Sequence, residues 1–123
     1  MVEFFNFVVS VGADWYIIGT NFGMQQLEYQ QEIPALQRKV KARGFATFII
    51  ADQKIENLNW VPNSTVHFLE SQVRPSSTVI HIFGEYVAHI LWQKPEFVFV
   101  FKNQAVAEDY RKYYHLLQKN IEK

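Results

Sequence analysis

Residues 77–92 read STVIHIFGEYVAHILW, two largely apolar segments of equal length that flank Gly84 and Glu85. A glycine at the first of two central turn positions is typical of the primed turns that connect hairpin strands. We therefore predict a β-hairpin in which Phe83 lies opposite Tyr86. Because side chains alternate along a strand, this register determines which residues share a face of the sheet.

The predicted register separates the two histidines of the hairpin. His81 opposes Ala88 on one face, whereas His89 lies on the other face, so the two cannot bind one metal ion together. His67 and His115 lie on another predicted strand and on the last predicted helix, and no pair has the spacing of a zinc site. The chain contains no cysteine, which excludes disulfides, thiolate sites and a cysteine nucleophile. We predict no metal and no cofactor.

The 123 residues suit a single domain, 1–123. Short apolar segments rich in β-branched and aromatic residues indicate strands. The segment EFVFVF (96–101) is apolar on both faces, as expected of a central strand that is covered on both sides. The predicted strands, in chain order, cover 15–20, 45–51, 65–69, 77–83, 86–92 and 96–101. We expect an α/β fold with a mixed sheet of about six strands and helices on both faces.

Three helices are predicted around these strands. The first is a short apolar segment that Gly12 closes. The second runs over 34–43, because proline is favoured at the first helical position and Gly44 provides a stop. The third follows Asn103, a good N-cap, and ends near Ile121. The residues predicted to face inward are Leu36 and Val40 in the second helix, and Val106, Tyr110, Tyr113, Tyr114, Leu117 and Ile121 in the third.

The charge of the chain bears on its partners. Twelve basic residues offset twelve acidic ones, whereas a nucleic-acid-binding domain usually carries an excess of Lys and Arg on one face. The four cations between Arg38 and Arg43 complement the dipole at a helix C-terminus. The apolar stretch Phe4–Ile18 is interrupted by polar residues and is shorter than the roughly 20 residues that a membrane span requires. We expect no direct nucleic-acid binding, no membrane association and a cytoplasmic location.

Three further segments surround the hairpin in a recognisable order: VRPSSTVI (73–80), WQKP (92–95) and AEDYRKYY (107–114). With the hairpin and the apolar strand after it, they resemble the phospholipase-D-like superfamily. More narrowly, they are similar to the degenerate half-domain found C-terminally in TrmB-type transcription regulators. The resemblance implies a phospholipase-D-like fold and a domain that senses an effector and pairs with a second copy.

The resemblance also implies that the catalytic residues are missing. Active members of the superfamily carry His-x-Lys, four further residues and Asp on the first strand of this hairpin, and Gly-Ser at the end of the second. The matching positions here are Ser77, Val79, Gly84, Leu91 and Trp92. None provides the imidazole that attacks phosphorus or the cation that neutralises the phosphate charge. We therefore predict that the domain is catalytically inactive.

A small concavity is expected where the active site would lie. Ser77 opposite Trp92, with Arg74 and Ser76 before the strand, would combine an aromatic surface with polar donors. Such a site suits a sugar, which stacks on Trp, or a small anion, which Arg can bind. The predicted ligand-binding residues are Arg74, Ser76, Ser77, Trp92, His81 and Asp52.

The favoured function is that of a non-catalytic ligand-sensing and dimerisation domain, the effector-binding part of a transcription regulator. We predict a two-fold symmetric homodimer, formed partly through the face near Ser77 and Trp92. The chain contains no helix-turn-helix, so it is expected to be an excised domain or to act through a partner. The alternatives are a purely structural homodimerisation module and a weak phospholipase-D-like nuclease or phosphodiesterase.

Overall fold

The structure, a computed structural model, describes residues 2–19, 32–51, 62–68, 78–92 and 95–121. Each described helix and strand has the type that the sequence predicts, and the strand bounds differ by at most two residues. In chain order the elements are α1 (Val2–Val11), β1 (Trp15–Ile18), α2 (Ile33–Arg43), β2 (Thr47–Ala51), β3 (Ser64–Phe68), β4 (Thr78–Phe83), β5 (Tyr86–Leu91), β6 (Phe97–Lys102) and α3 (Gln104–Ile121).

The six described strands form one mixed sheet in the order β3-β2-β1-β4-β5-β6. The strands β1, β2 and β3 run parallel, and α2 provides the crossover between β1 and β2. β4 pairs antiparallel with β1, and the remaining pairs, β4–β5 and β5–β6, are also antiparallel. The predicted α/β class with a mixed sheet of about six strands is therefore confirmed.

The hairpin has the predicted register. Phe83 pairs with Tyr86, and the ladder continues outward without a bulge to the end of both strands. Gly84 has a φ of 60°, a conformation that glycine adopts without steric cost. His81 pairs with Ala88 and His89 pairs with Ile80, so the two histidines lie on opposite faces of the ribbon, as the predicted turn requires.

Helices cover the two faces of the sheet unequally. α1 and α2 lie on one face, where Phe5, Val8 and Val40 join Trp15 and Ile49 in the larger buried cluster. α3 crosses the other face from β5 toward β3 and contributes to a smaller cluster. None of the described helices is long and apolar enough to cross a membrane.

The prediction of a central position for the strand EFVFVF is wrong. β6 is the last strand in the sheet order, and no described strand pairs with its outer side. Phe97, Phe99 and Phe101 are 48%, 57% and 54% exposed, and Val100 is 46% exposed. The strand with an apolar pattern on both faces is therefore an edge strand here. Its side chains are exposed because α3 does not extend over β6.

The inward stripe predicted for α3 is only partly correct. Ala107 and Tyr114 are fully buried, whereas Val106 is 38% and Tyr113 is 57% exposed. The helix contacts β5, β4, β1 and β3, and Ala107 and Tyr114 are its buried residues. The N-cap is confirmed, since the backbone N–H of Val106 donates to Asn103 Oδ1 at 3.1 Å.

The end of α2 provides a first testable prediction. Gly44 has a φ of 79°, and its N–H donates to the carbonyl oxygen of Val40. A Cβ at position 44 would contact nothing within 4 Å, so backbone strain alone decides the effect of a substitution. We expect Gly44→Ala to lower the free energy of unfolding by roughly 1 kcal/mol, and Gly44→Asn to lower it by less. Urea denaturation measures both, and equal stability of Gly44→Ala and wild type would contradict the left-handed helix end.

Candidate functional site

Most of the ligand-binding residues predicted from sequence cannot be placed. Arg74, Ser76, Ser77 and Asp52 lie outside the described residues. Trp92 follows β5 directly, is half-buried and contacts the larger core cluster on the α1 and α2 face. The assembly of these residues into a ligand site therefore stays a prediction.

His81 is placed inside the core. Its side chain is 2% exposed, and its Nδ1 accepts a hydrogen bond from the indole Nε1 of Trp15 at 2.9 Å. Phe4 and Phe5 of α1 meet the imidazole edge-on at ring-centroid distances of 5.4 and 6.2 Å. A ligand would reach this ring only after α1 had moved away, so the described geometry gives His81 a role in the core.

Burial determines the protonation state of His81. The loss of solvent lowers the pKa of His81 from 6.5 to about 3, so the ring is neutral at physiological pH. Because Nδ1 accepts a hydrogen bond from Trp15, the single ring proton of His81 belongs on Nε2. Nε2 has no hydrogen-bond partner among the described residues. Protonation of Nδ1 would break the bond to Trp15 and place a charge in the core.

The described positions that match the phospholipase-D-like motif carry no reactive group. Val79 is fully buried, Gly84 forms the hairpin turn and Leu91 is half-buried. Among the residues that the structure describes, no cluster of three or more His, Asp or Glu side chains could hold a metal ion. Within this region the geometry adds nothing to an enzymatic hypothesis.

The opposite face of the hairpin forms a groove that the sequence did not predict. It has a volume of about 500 Å³ and lies between β4, β5, β6 and α3. His89 Nε2 and the hydroxyl of Tyr110 are 3.3 Å apart and form the polar pair of this groove. We call it the aromatic groove, and it is lined by Thr78, His89, Leu91, Phe99, Phe101 and Tyr110.

The chemistry of the aromatic groove is that of a small-molecule site. Such sites are concave and mainly apolar, with a few polar groups that orient the ligand. The rings of Phe101 and Tyr110 stand nearly perpendicular to that of His89, at 6.1 and 5.8 Å between centroids. A ligand with one flat apolar face and hydroxyl groups could contact these rings and hydrogen-bond to His89 or Tyr110.

The sequence contained a signal for this groove. The register that places His89 opposite Phe99 puts both on the face away from His81. That face was expected to be covered, because the pattern of β6 indicated a central strand. The signal for the accessible concavity was the Phe-x-Phe-x-Phe pattern of β6 beside His89. The motif positions at the ends of the hairpin did not indicate it.

No protein-family model matches the chain, and a search of curated proteins returns no significant match. The functional assignment therefore rests on the residues themselves.

A second cavity, of about 530 Å³, lies at the turn end of the hairpin, and two of its charged side chains bind the backbone. Asp14 Oδ1 accepts the N–H of Ala46 at 3.0 Å, and Arg111 Nη1 donates to the Gly84 carbonyl at 2.7 Å. Burial, together with the negative charge of Asp14, raises the pKa of Tyr16, so its phenol remains protonated. The first contact joins the starts of β1 and β2, the second joins α3 to the hairpin turn, and both indicate a structural role for this cavity.

Proposed function

We propose that this domain binds a small molecule, pairs with a second copy of itself and catalyses no reaction. It acts as the effector-sensing part of a cytoplasmic transcription regulator, as the resemblance to TrmB-type regulators implies. Contact with DNA is made by a partner or by another domain, because the net charge of this chain is zero.

The aromatic groove is the observation that carries this proposal. It combines a volume of about 500 Å³ with an apolar lining and the polar pair His89–Tyr110. The groove also connects the hairpin to the edge strand β6 and to α3. A ligand bound there would contact both elements, and it would stabilise the folded state by its binding free energy.

The lining of the groove favours one of the two ligand classes expected from sequence. None of its described lining residues is an Asp, Glu, Lys or Arg. An anion would lose its hydration without gaining an opposite charge, which is costly. A neutral sugar loses less, because aromatic rings cover its apolar face and His89 and Tyr110 bind its hydroxyl groups. We therefore propose a neutral, hydroxyl-rich ligand for the aromatic groove.

A purely structural homodimerisation module is the second candidate. It is favoured by the exposure of Phe97, Phe99 and Phe101 on β6, since soluble monomers rarely expose a row of aromatic side chains. This function needs no ligand, and the aromatic groove would then be part of the contact between two copies.

A thermal-shift experiment separates the two functions. The probes are neutral mono- and disaccharides, with inorganic phosphate as the anion. A ligand at about 100 times its dissociation constant stabilises the folded state by roughly 2.7 kcal/mol and raises the Tm by several degrees. We expect at least one saccharide to do so, and phosphate to have no effect.

Two tyrosines of α3 provide a matched test of the site. Tyr110→Phe removes the hydroxyl that lies beside His89, so we expect it to reduce the thermal shift by at least half. Tyr113→Phe removes a hydroxyl from a ring that is not part of the groove lining, and it should leave the shift unchanged. If Trp92→Ala abolished the shift and Tyr110→Phe did not, the ligand would bind on the Trp92 face. The absence of a shift with every probe would favour the structural function.

A further inference from the structure

We infer that two copies of this chain pair edge to edge through β6, in antiparallel orientation, with Phe99 on the two-fold axis. The inference rests on the proposed pairing function and deepens it, because it names the surface and the register. The sheet of one copy would continue into the sheet of the other.

The backbone of β6 is oriented for such pairing. Asn103 N–H donates to the carbonyl oxygen of Glu85 at 2.8 Å, and the register of the two strands places these residues opposite each other. Hydrogen-bonded and non-hydrogen-bonded pairs alternate along an antiparallel ladder. Phe99 therefore directs its N–H and C=O toward β5, whereas Val98 and Val100 direct theirs toward the outer side of the strand.

The side chains of β6 lack the usual protection of a free edge. Natural edge strands avoid unwanted pairing through charges, proline, bulges or a covering helix. Here Phe97, Phe99, Phe101 and Val100 are each about half exposed. The only charged residue of the strand is Lys102 at its end. An edge with this composition is stable in water when another strand covers it.

One register makes β6 complementary to itself. With Phe99 opposite Phe99 of the second copy, Phe97 lies opposite Phe101 of the second copy, and the phenylalanines of both copies share one face. These are non-hydrogen-bonded pairs, in which side chains approach most closely. Val98 then forms hydrogen-bonded pairs with Val100 of the second copy on the other face.

The charges at the two ends support the same register. Glu96 precedes β6 and Lys102 ends it. In the register centred on Phe99, Glu96 of each copy lies opposite Lys102 of the other, and opposite charges that face each other stabilise antiparallel strands. A shift of the centre to Val100 would instead place Val98 opposite Lys102 and Phe97 opposite Asn103.

The size of the surface predicts a reversible dimer. An aromatic side chain has roughly 150–250 Å² of surface, so the exposed parts of the three phenylalanines amount to roughly 300 Å² per copy. With Val100 and the backbone of the edge added, the contact remains below the ~800 Å² per partner of a standard interface. We therefore expect the dimer to dissociate on dilution.

Sedimentation equilibrium over a range of micromolar concentrations tests the surface. The wild-type chain should change from monomer to dimer with increasing concentration. Phe99→Glu places two like charges across the axis and should raise the dissociation constant by roughly 100-fold or more. Leu116→Glu is the matched control, because Leu116 is equally exposed, at 57%, on the outer side of α3, and it should dimerise like wild type.

Single cysteines test the register, because the native chain has none to interfere. A residue on the two-fold axis faces the same residue of the second copy, at a distance that permits a disulfide. Under mild oxidation Phe99→Cys should form a covalent dimer at least 10-fold faster than Val98→Cys or Val100→Cys.

The outcomes distinguish the failure of this inference from that of the proposed function. A chain that stayed monomeric at every concentration would overturn both the proposed pairing and the β6 contact. A dimer that persisted in Phe99→Glu would overturn the β6 contact alone. Faster crosslinking of Val98→Cys or Val100→Cys would overturn the register.

Discussion

Acidification from about pH 7 to about pH 4.5 is expected to lower the free energy of unfolding by roughly 2–3 kcal/mol through His81 alone. Burial lowers the pKa of His81 from 6.5 to about 3 in the folded protein. The unfolded chain therefore binds a proton that the folded chain does not. The stabilisation by neutral His81 is complete above pH 6.5 and is lost progressively as the pH falls toward 3.

Urea denaturation at a series of pH values measures this effect. His81→Gln retains a side-chain acceptor for Trp15 but does not titrate, so its stability should fall less steeply between pH 7 and pH 4.5. His115→Gln is the control, because it replaces an exposed histidine of α3 and leaves His81 in place, so it should retain the loss of stability that His81 causes. If the free energy of unfolding of wild type and of His81→Gln fell equally over this range, the assignment of a buried, neutral imidazole to His81 would be wrong.

The largest effect of a single substitution is expected at Tyr114. Its side chain is fully buried between α3 and the sheet, 5.1 Å from the ring of Tyr16 and 6.5 Å from that of Phe48. Tyr114→Ala would leave a cavity where α3 contacts β1 and β2. Removal of a large buried aromatic ring typically costs about 3–5 kcal/mol.

The neighbouring tyrosine is the control for this prediction. Tyr113 is 57% exposed, so Tyr113→Ala should change the free energy of unfolding by less than about 1 kcal/mol. Denaturation at a protein concentration where the chain is monomeric separates this comparison from any contribution of pairing. Similar destabilisation by both substitutions would show that α3 contacts the sheet through a different side.

The hairpin was the part of the fold that could be predicted most fully. A glycine at the turn and the period of two along a strand were sufficient to place Phe83 opposite Tyr86 and to separate His81 from His89. These are local constraints, so a single sequence contains them. The helix ends at Gly44 and Asn103 were predictable for the same reason.

The position of β6 could not be predicted from its pattern. Apolar residues on both faces of a strand are equally consistent with burial between two layers of one chain and with burial against a second copy. Local sequence does not say how far α3 reaches across the sheet. The exposure of Phe99 follows because α3 contacts β5, β4, β1 and β3 but does not extend over β6.

The candidate site shows a similar limit. His81 and Trp92 share a face of the hairpin, as the register requires, but α1 covers the His81 part of that face. Which face a helix will cover depends on tertiary contacts between distant segments. The polar residue on the other face, His89, became the centre of the aromatic groove instead.

Amide hydrogen exchange at β6 tests the pairing of two copies most directly. In a monomer the N–H groups of Val98 and Val100 point away from β5, whereas the N–H of Phe99 is bonded to β5. We expect protection of Val98 and Val100 to increase with protein concentration in wild type and to disappear in Phe99→Glu, while Phe99→Glu leaves the exchange of β4 and β5 unchanged. Rapid exchange of both valine amides at concentrations where the protein is dimeric would show that β6 is not the contact.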